Sequence, residues 1–333
     1  MTRLVQLQHC AVRRVAQVQE SQLQLLAEVD SIFALATRAR VANSRLTELV
    51  RHLATGEKLS YDAVYSGQSD WRLLPAADHP IEPARCLVSG TGLTHLGSAQ
   101  NRNAMHGKSD VELTDSMKMF RWGMEGGRPA PGKIGTSPEW FYKGAGTILR
   151  AHGEPLVTPS FAEDGGEEAE IAGIYLIGTD GTPHRVGMAI GNEFSDHKFE
   201  KRNYLNLAGS KIRTCSLGPE LVIDPSFDRV PGTVAIERNG RPIWTKEVAT
   251  GESEMCHSLA NIEHHHFKFD THRRPGDLHV HYYGACALSF GDGIQLADGD
   301  VMSIQFAGFG RPLRNPVRIV PPSDQPITVN SLS

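Results

Sequence analysis

Hydrophobic and polar positions follow two different periods along this chain. Over residues 3–18 apolar and polar side chains alternate in two short bursts, as in half-buried strands or a hairpin. Between Ser21 and Leu53 apolar residues recur at steps of three and four, which predicts two helices broken near residues 40–43. From about residue 86 onward, short apolar runs separated by turn residues predict strands. The pattern indicates an α+β chain that is mostly β.

The length of the chain and one proline-bounded stretch suggest how it is divided into domains. A chain of 333 residues is long enough for a main domain with a smaller one attached. The proline-bounded stretch Pro75–Pro83 has the composition of a linker. We therefore predict a small N-terminal domain of short strands plus helices over residues 1–84, a larger domain over residues 85–320, and a loosely packed tail over residues 321–333.

Three glutamates carry the clearest candidate chemistry. Glu168 and Glu170 open an apolar run, and Glu193 ends the next one. Residues two apart in a strand share a face, so the first two carboxylates converge and the third arrives from the following strand. Buried carboxylates need a cation or hydrogen-bond donors, and oxygen ligands suit Mg²⁺, Mn²⁺ or Ca²⁺. The spacing predicts a metal site and leaves a solvated edge-strand face as the alternative.

Charge and cysteine usage exclude several classes of function. The net charge is −4 without a dense Lys/Arg block, so neither nucleic acid nor an acidic membrane surface is an expected partner. The chain has no run of about 18 apolar residues, and its start lacks the apolar core of a signal peptide. The five cysteines are far apart and form no C-x-x-C pair, which favours a reducing compartment. We expect a cytoplasmic, unanchored protein.

Other chemically active residues have weaker signals. His95 ends a glycine-rich turn after an apolar strand, a place where rigid scaffolds display functional groups. The Met-, Gly- and Pro-containing segment 101–137 is either a flap over a site or an inert surface loop. The histidine run 264–266 is a poor chelate, because adjacent strand residues face opposite ways, and we predict a polar loop. Cys286 has no partner histidine at a known distance, which argues against a nucleophile.

Several collinear motifs resemble those of the fumarylacetoacetate hydrolase family. They are, in order, E-A-E, G-N-E-F-S, Tyr204, Lys211, S-L-G-P-E-L-V, R-N-G, P-G-D, D-G-D-V and F-G-R-P-L-R-N, and they cover about residues 86–318. The resemblance implies a mixed β-roll fold, a homodimer, and chemistry on a small-molecule 2-oxo acid held by Mg²⁺ or Mn²⁺.

The resemblance also implies roles for individual residues. Glu168, Glu170 and Glu193 match the metal ligands, although the family usually has aspartate at the third position. Lys211 matches the active-site lysine, and Tyr204 matches a substrate-contacting tyrosine.

Further positions depart from the family pattern. Lys143 matches a second lysine, followed here by glycine instead of proline, and His95 lies where relatives have a ligand or a catalytic histidine. Ser195 and His197 occupy a substrate-contacting segment, with His197 where arginine is usual. The hydrolases' His-Glu dyad has no clean counterpart, because Ser98 and Ala99 occupy the expected glutamate region.

These departures from the family pattern favour one of the activities that are known in the family. The chain resembles the family's bacterial 2-keto-3-deoxypentonate dehydratases, which implies a lyase that forms 2,5-dioxopentanoate through an enolate in pentose degradation. Lys211 is the first candidate for the base, and His95 or Lys143 the second. An acylpyruvate or diketo acid hydrolase is the alternative within the family. A non-enzymatic sugar-acid-binding accessory protein is the alternative from another class.

Overall fold

Strands form most of the regular structure in the computed structural model, which describes residues 1–97, 99–100, 114–323 and 325–332. The strands are β1 Thr2–His9, β2 Val12–Gln19, β3 Gln22–Leu26, β4 Ala54–Ser60, β5 Arg72–Leu73, β6 Cys86–Gly92, β7 Glu139–Ala145, β8 Leu149–Arg150, β9 Leu156–Thr158, β10 Ala169–Ile177, β11 Pro183–Asn192, β12 Cys215–Leu217, β13 Leu221–Ile223, β14 Val230–Arg238, β15 Arg241–Thr250, β16 Leu278–Tyr282, β17 Val301–Phe306 and β18 Leu313–Ile319. The predicted α+β, mostly β class is confirmed.

The helices are short and lie between the strands. They are α1 Ile32–Val41, α2 Leu46–Leu53, α3 Tyr61–Tyr65, α4 Asp115–Gly126, α5 His197–Arg202, α6 Leu207–Lys211 and α7 Leu259–Phe267. In the described part of the chain, none of them is long and apolar enough to cross a membrane.

Two mixed sheets organise the chain. The larger has the order β4-β3-β2-β1-β13-β11-β10-β16-β6-β7, with β5, β8 and β12 pairing off this path. The smaller has the order β15-β14-β17-β18-β9. Most pairings are antiparallel, whereas β16 with β6, β12 with β8 and β18 with β9 are parallel. The strand β10 lies between β11 and β16, and all nine of its residues are buried, which explains its nearly continuous apolar sequence.

The N-terminal elements match the predicted change of period except at its start, where residues 22–26 were expected to be helical but form the strand β3. The strands β1 and β2 form the expected hairpin, and α1 and α2 are the two expected helices, separated by residues 42–45. Ser31 caps α1 by accepting a hydrogen bond from the backbone N–H of Ala34. The hairpin joins the large sheet through β1 and β13, where Leu4 pairs with Leu221. The division at residues 84 and 85 stays a prediction.

Two segments differ from the sequence-based expectations. The histidine run 264–266 was expected in a loop but lies in α7, which begins after the cap Ser258, and the side chains of His265 and His266 are buried. A helix turns adjacent residues by about 100°, so an alternating-face argument does not apply there. Of the expected flap over 101–137, residues 101–113 lie outside the described residues, and α4 takes up much of the rest, beginning after the cap Thr114.

Candidate active site

The three glutamates meet where β10 begins and β11 ends. The antiparallel register pairs Ala169 with Asn192, and the backbone N–H of Glu193 donates to the carbonyl of Glu168 at 2.9 Å. Glu168, Glu170 and Glu193 are all buried, and each offers a carboxylate oxygen within 4.8 Å of the others. The hairpin therefore brings together the three predicted ligands.

Crowding of buried carboxylates gives this site its electrostatic character. Burial, reinforced by Glu168, raises the pKa of Glu193 to about 7. Burial and the other two glutamates raise the pKa of Glu170 well above its usual value. For Glu168 burial also acts upward, but the charges of Lys211 and His197 outweigh it and hold the pKa well below normal. Burial and mutual repulsion make the negative charges of these carboxylates unfavourable, so the site favours a bound cation.

Lys211 ends α6 and reaches into the carboxylate cluster. Its Nζ lies 2.5 Å from Oε1 of Glu168 and 2.6 Å from Oε2 of Glu193, and it donates to Oγ of Ser195 at 3.1 Å. The ring centroid of Phe141 lies 4.8 Å away. The predicted active-site lysine is thus fully buried against two of the three candidate ligands.

Lys143, on β7, contacts the same cluster differently. Its Nζ donates to the backbone carbonyls of Phe194 at 2.6 Å and of Lys211 at 2.9 Å, and lies 2.5 Å from Oε1 of Glu193. An ammonium group has three N–H donors, and these three acceptors use all of them. Because two of these acceptors are backbone carbonyls and not candidate ligands, the arrangement favours a positioning role for Lys143 over a role as the base.

The predicted substrate-binding residues Ser195 and His197 contact the candidate ligands directly. Oγ of Ser195 lies 3.1 Å from Oε1 of Glu193. Nε2 of His197 lies 3.1 Å from Oε1 of Glu168, and its Nδ1 is buried without a hydrogen-bond partner among the described residues. Burial lowers the pKa of His197, but the hydrogen bond and charge of Glu168 act more strongly, and the net pKa is raised. His197 is therefore a hydrogen-bond donor to a metal-ligand candidate.

The three glutamates form the group of described residues that could share one ion, and His95 lies outside this group. Its Nδ1 lies 2.8 Å from Oγ1 of Thr94 and its Nε2 3.1 Å from Oγ1 of Thr250, and burial lowers its pKa to about 4. Thr94 donates to the carbonyl of Tyr283, whose neighbour Gly284 donates its N–H to Oε2 of Glu170 at 2.7 Å. The predicted histidine therefore connects to the site through this chain of hydrogen bonds.

Tyr204 contacts a carboxylate that the sequence analysis missed. Its hydroxyl donates to Oε2 of Glu139 at 2.7 Å, and Glu139 is buried at the start of β7. The sequence did carry a signal for Glu139: alternate residues of β7 share a face, and Glu139 and Phe141 lie on one such face shortly before Lys143. Cys286, in contrast, has a pKa raised to about 12 by burial, which suits an inert thiol.

Comparisons by sequence return no relatives. No protein-family model matches this sequence. No curated protein matches it significantly either.

Solved structures with the same fold are enzymes. A 2-keto-3-deoxy-D-arabinonate dehydratase, in a complex with magnesium and 2,5-dioxopentanoate, aligns over 96% of this chain and 99% of its own, with a TM-score of 0.69 at 20% identity. A fumarylacetoacetate hydrolase from Exiguobacterium antarcticum aligns over 96% and 100%, with a TM-score of 0.60 at 17% identity. A 5-carboxymethyl-2-hydroxymuconate delta-isomerase from Mycobacterium smegmatis aligns over the same shares, with a TM-score of 0.58 at 18% identity.

These alignments establish the fold. The chain has the mixed β-roll fold of fumarylacetoacetate hydrolase-family enzymes, over nearly its whole length, and the predicted fold is confirmed. Because one fold carries dehydratases, isomerases and hydrolases, the activity has to be argued from the site itself.

Proposed function

We propose that this protein is a metal-dependent lyase that dehydrates a 2-keto-3-deoxy sugar acid, a pentonate, to 2,5-dioxopentanoate. The observation that carries the proposal is the buried cluster of Glu168, Glu170 and Glu193 with Lys211 against two of its members. The likeness to a dehydratase complexed with magnesium and this product supports it.

The residues fit a hard divalent cation, Mg²⁺ or Mn²⁺. The donors are three buried carboxylates whose oxygens lie within 4.8 Å of one another, and His197 orients Glu168 through a hydrogen bond. When bound, the ion would supply Lewis acidity that acidifies the carbon next to the carbonyl of a chelated 2-oxo acid. Glu168, Glu170 and Glu193 would hold it.

Lys211 is the proposed base. Its buried amine lies 2.5 Å and 2.6 Å from two of the candidate ligands. A 2-oxo acid held at that cluster would present its C3 proton close to this amine. Lys143 contacts one candidate ligand, Glu193, and is otherwise held by the backbone carbonyls of Phe194 and Lys211. We propose that Tyr204 contacts the substrate, and that Ser195 and His197 act through the ligands they contact. His95 would act through Thr94 and the hydrogen bonds that lead to Glu170.

The proposed partner, assembly and location of the protein follow from the same resemblance. We propose a small-molecule 2-oxo acid as the partner, a homodimer as the assembly, and a cytoplasmic role in pentose degradation. An acylpyruvate hydrolase is the second candidate, and the likeness to a fumarylacetoacetate hydrolase favours it. A sugar-acid-binding accessory protein would bind the acid without turnover.

The test is an assay of purified protein with Mg²⁺ and 2-keto-3-deoxypentonate. We expect 2,5-dioxopentanoate, and we expect Glu170→Gln to lower turnover by at least about 100-fold by removing a ligand. Glu167→Gln is the matched control: Glu167 is also buried, but its carboxylate accepts hydrogen bonds from Ser289 at 2.7 Å and lies outside the cluster.

Other outcomes would contradict the proposal. Cleavage of an acylpyruvate with no dehydration would establish the hydrolase instead. A rise in melting temperature with the sugar acid, without any product over hours, would establish the accessory protein.

A further inference from the structure

A cavity of about 550 Å³ lies between the N-terminal helices and the large sheet. Residues of α1, of α2 and of the loop that joins them line one side, and residues of β10 and β11 line the other. The cavity is at the end of the β10–β11 hairpin that contains Leu176 and Val186, whereas Glu170 and Glu193 are at the opposite end. It is therefore separate from the candidate active site, and its volume is in the range of small-molecule sites.

The buried part of the lining is apolar. Its residues are Ala36 and Ala39 of α1, Leu176 of β10 and Val186 of β11. The two alanines are three residues apart and share a face of α1, and their short side chains leave the space in front of them open. An apolar surface of this kind favours an apolar ligand group.

The remaining lining is basic. Arg40, Arg45 and Arg185 line the cavity, and no acidic residue does so in the described part of the chain. The carboxylates that pair with two of these arginines lie outside the lining: Asp180 is 3.1 Å from Arg40, and Glu263 is 2.8 Å from Arg185. Among the described residues, no carboxylate forms an ion pair with Arg45. The cavity therefore presents positive charge without a negative charge of its own.

The loop between α1 and α2 leaves one polar group of the lining unsatisfied. Asn43 has a positive φ of 48°, and the N–H groups of Asn43 and Ser44 donate to the carbonyls of Arg40 and Ala39 at 3.2 Å and 3.0 Å. These are the two bonds of a Schellman motif, which satisfies the backbone where a helix ends. Oγ of Ser44, in contrast, is buried and has no hydrogen-bond partner among the described residues. Because buried polar groups are normally paired, this oxygen points to a ligand in the cavity.

The start of α2 lies on the same side as Ser44. This helix begins after Arg45, whose side chain makes no capping hydrogen bond. The first N–H groups of a helix have no acceptor within the helix and carry a partial positive charge. Together with the hydroxyl of Ser44 and the guanidinium groups, they provide donors for a carboxylate or a phosphate.

We propose that this cavity is a binding site for a small organic anion, in which a carboxylate or phosphate group is attached to a compact apolar body. The anionic group would lie among Ser44, Arg45 and the start of α2, and the apolar body would lie against Ala39 and Leu176. Such a ligand would connect α1 and α2 to the hairpin that carries the candidate metal ligands. It would therefore stabilise the folded chain when it binds.

The test measures binding to the full chain by titration calorimetry without divalent cations, so that no anion is held by a metal ion at the glutamates. The probes are 3-phenylpropanoate and 2-phenylethyl phosphate. We expect at least one of them to bind about tenfold or more tightly than 3-phenylpropanol, acetate and inorganic phosphate, because each of these lacks either the charge or the apolar body. The tighter of the two anions identifies the head group, and it should also raise the melting temperature.

Variants of the lining locate the bound probe. Arg45→Met removes a charge and keeps the length of the side chain, and it should weaken binding about tenfold or more. Ala39→Leu should weaken binding by occupying the space for the apolar body. Arg51→Met is the matched control, because Arg51 is exposed on α2 and lies outside the lining. It should bind the probe as wild type does.

The proposal is overturned if neither anion binds, or if a probe without charge or without an apolar body binds as tightly. It is also overturned if Arg45→Met or Ala39→Leu leaves binding unchanged. Glu170→Gln should bind the probe as wild type does, and loss of binding in that variant would place the probe at the glutamates and contradict the proposal. An enzyme without dehydratase activity that still binds the probe would contradict the proposed function alone.

Discussion

At the scale of single residues, the two buried lysines differ in what they contact. Lys143 uses its donors on two backbone carbonyls and on Glu193, whereas Lys211 lies against Glu168, Glu193 and Ser195. Both neutralise buried carboxylates, but only Lys211 contacts two of the candidate ligands. On these contacts we propose a supporting role for Lys143 and proton transfer for Lys211.

Substitution of each lysine by methionine tests this assignment. Lys211→Met should abolish C3 deuterium exchange in 2-oxopentanoate, because among the described residues it is the lysine that contacts two of the candidate ligands. Lys143→Met should instead lower the free energy of unfolding by about 3–5 kcal/mol, since it removes a buried ion pair with Glu193 and the donor to two backbone carbonyls. NMR exchange and urea unfolding measure the two effects. Loss of exchange in the Lys143 variant alone would reverse the assignment.

At the scale of elements, α7 packs its histidines against β16. Nε2 of His266 lies 3.0 Å from Nδ1 of His279, and the ring of His281 lies between Oγ of Ser89 and Oγ1 of Thr91, at 2.8 Å from each. Burial lowers the pKa of His279 and of His281 to about 3, and that of His266 well below its usual value. The helix and strand thus share a core of neutral imidazoles.

This core predicts that acid destabilises the fold. Between about pH 3 and 6.5 the unfolded chain binds protons that the folded cluster does not, so the free energy of unfolding falls as pH is lowered through that window. We expect His279→Val to reduce the slope by up to about 1.4 kcal/mol per pH unit, measured by urea unfolding between about pH 4 and 6.5. The exposed His264→Gln, on α7, is the control. An unchanged slope in His279→Val would exclude the cluster as the cause.

At the scale of the whole molecule, the N-terminal elements share contacts and core with the rest. Glu220, fully buried, accepts hydrogen bonds from Arg3, from the hydroxyl of Tyr61 and from the backbone of Arg311. One apolar cluster includes residues of β1, α1 and α2 together with residues of β10, β11 and β16. A second cluster belongs to residues 1–84 alone and comprises Val5, Leu7, Ala16, Val18, Leu23, Leu25, Tyr61, Val64 and Leu73. Because the shared cluster and Glu220 join these elements to the large sheet, we expect residues 1–84 to unfold together with the rest.

The variant Glu220→Gln tests this coupling. Removing the charge that pairs with Arg3 should lower the free energy of unfolding by about 2–4 kcal/mol. Native-state hydrogen exchange should show the same decrease for amides of β2 and of β10. A decrease confined to β2 would instead show that the predicted N-terminal domain opens on its own.

The amino-acid sequence was sufficient to predict elements and contacts between residues that are close together along the chain. The hairpin of β1 and β2 follows from alternation, and the helices follow from a three- and four-residue period. It failed for the histidine run, because three adjacent residues do not reveal whether they lie in a helix or a loop. The cap Ser258 and the apolar Leu259 and Ile262 were the missed signals.

What the sequence by itself determined is the three-glutamate cluster, because Glu168, Glu170 and Glu193 belong to one hairpin whose register follows from its apolar pattern. What only the tertiary structure decided is which groups surround it. Tyr204 meets Glu139 across 65 positions, and Lys143 meets the Phe194 carbonyl across 51. Such contacts depend on how β7 and α6 pack, and no local period of the chain encodes that packing.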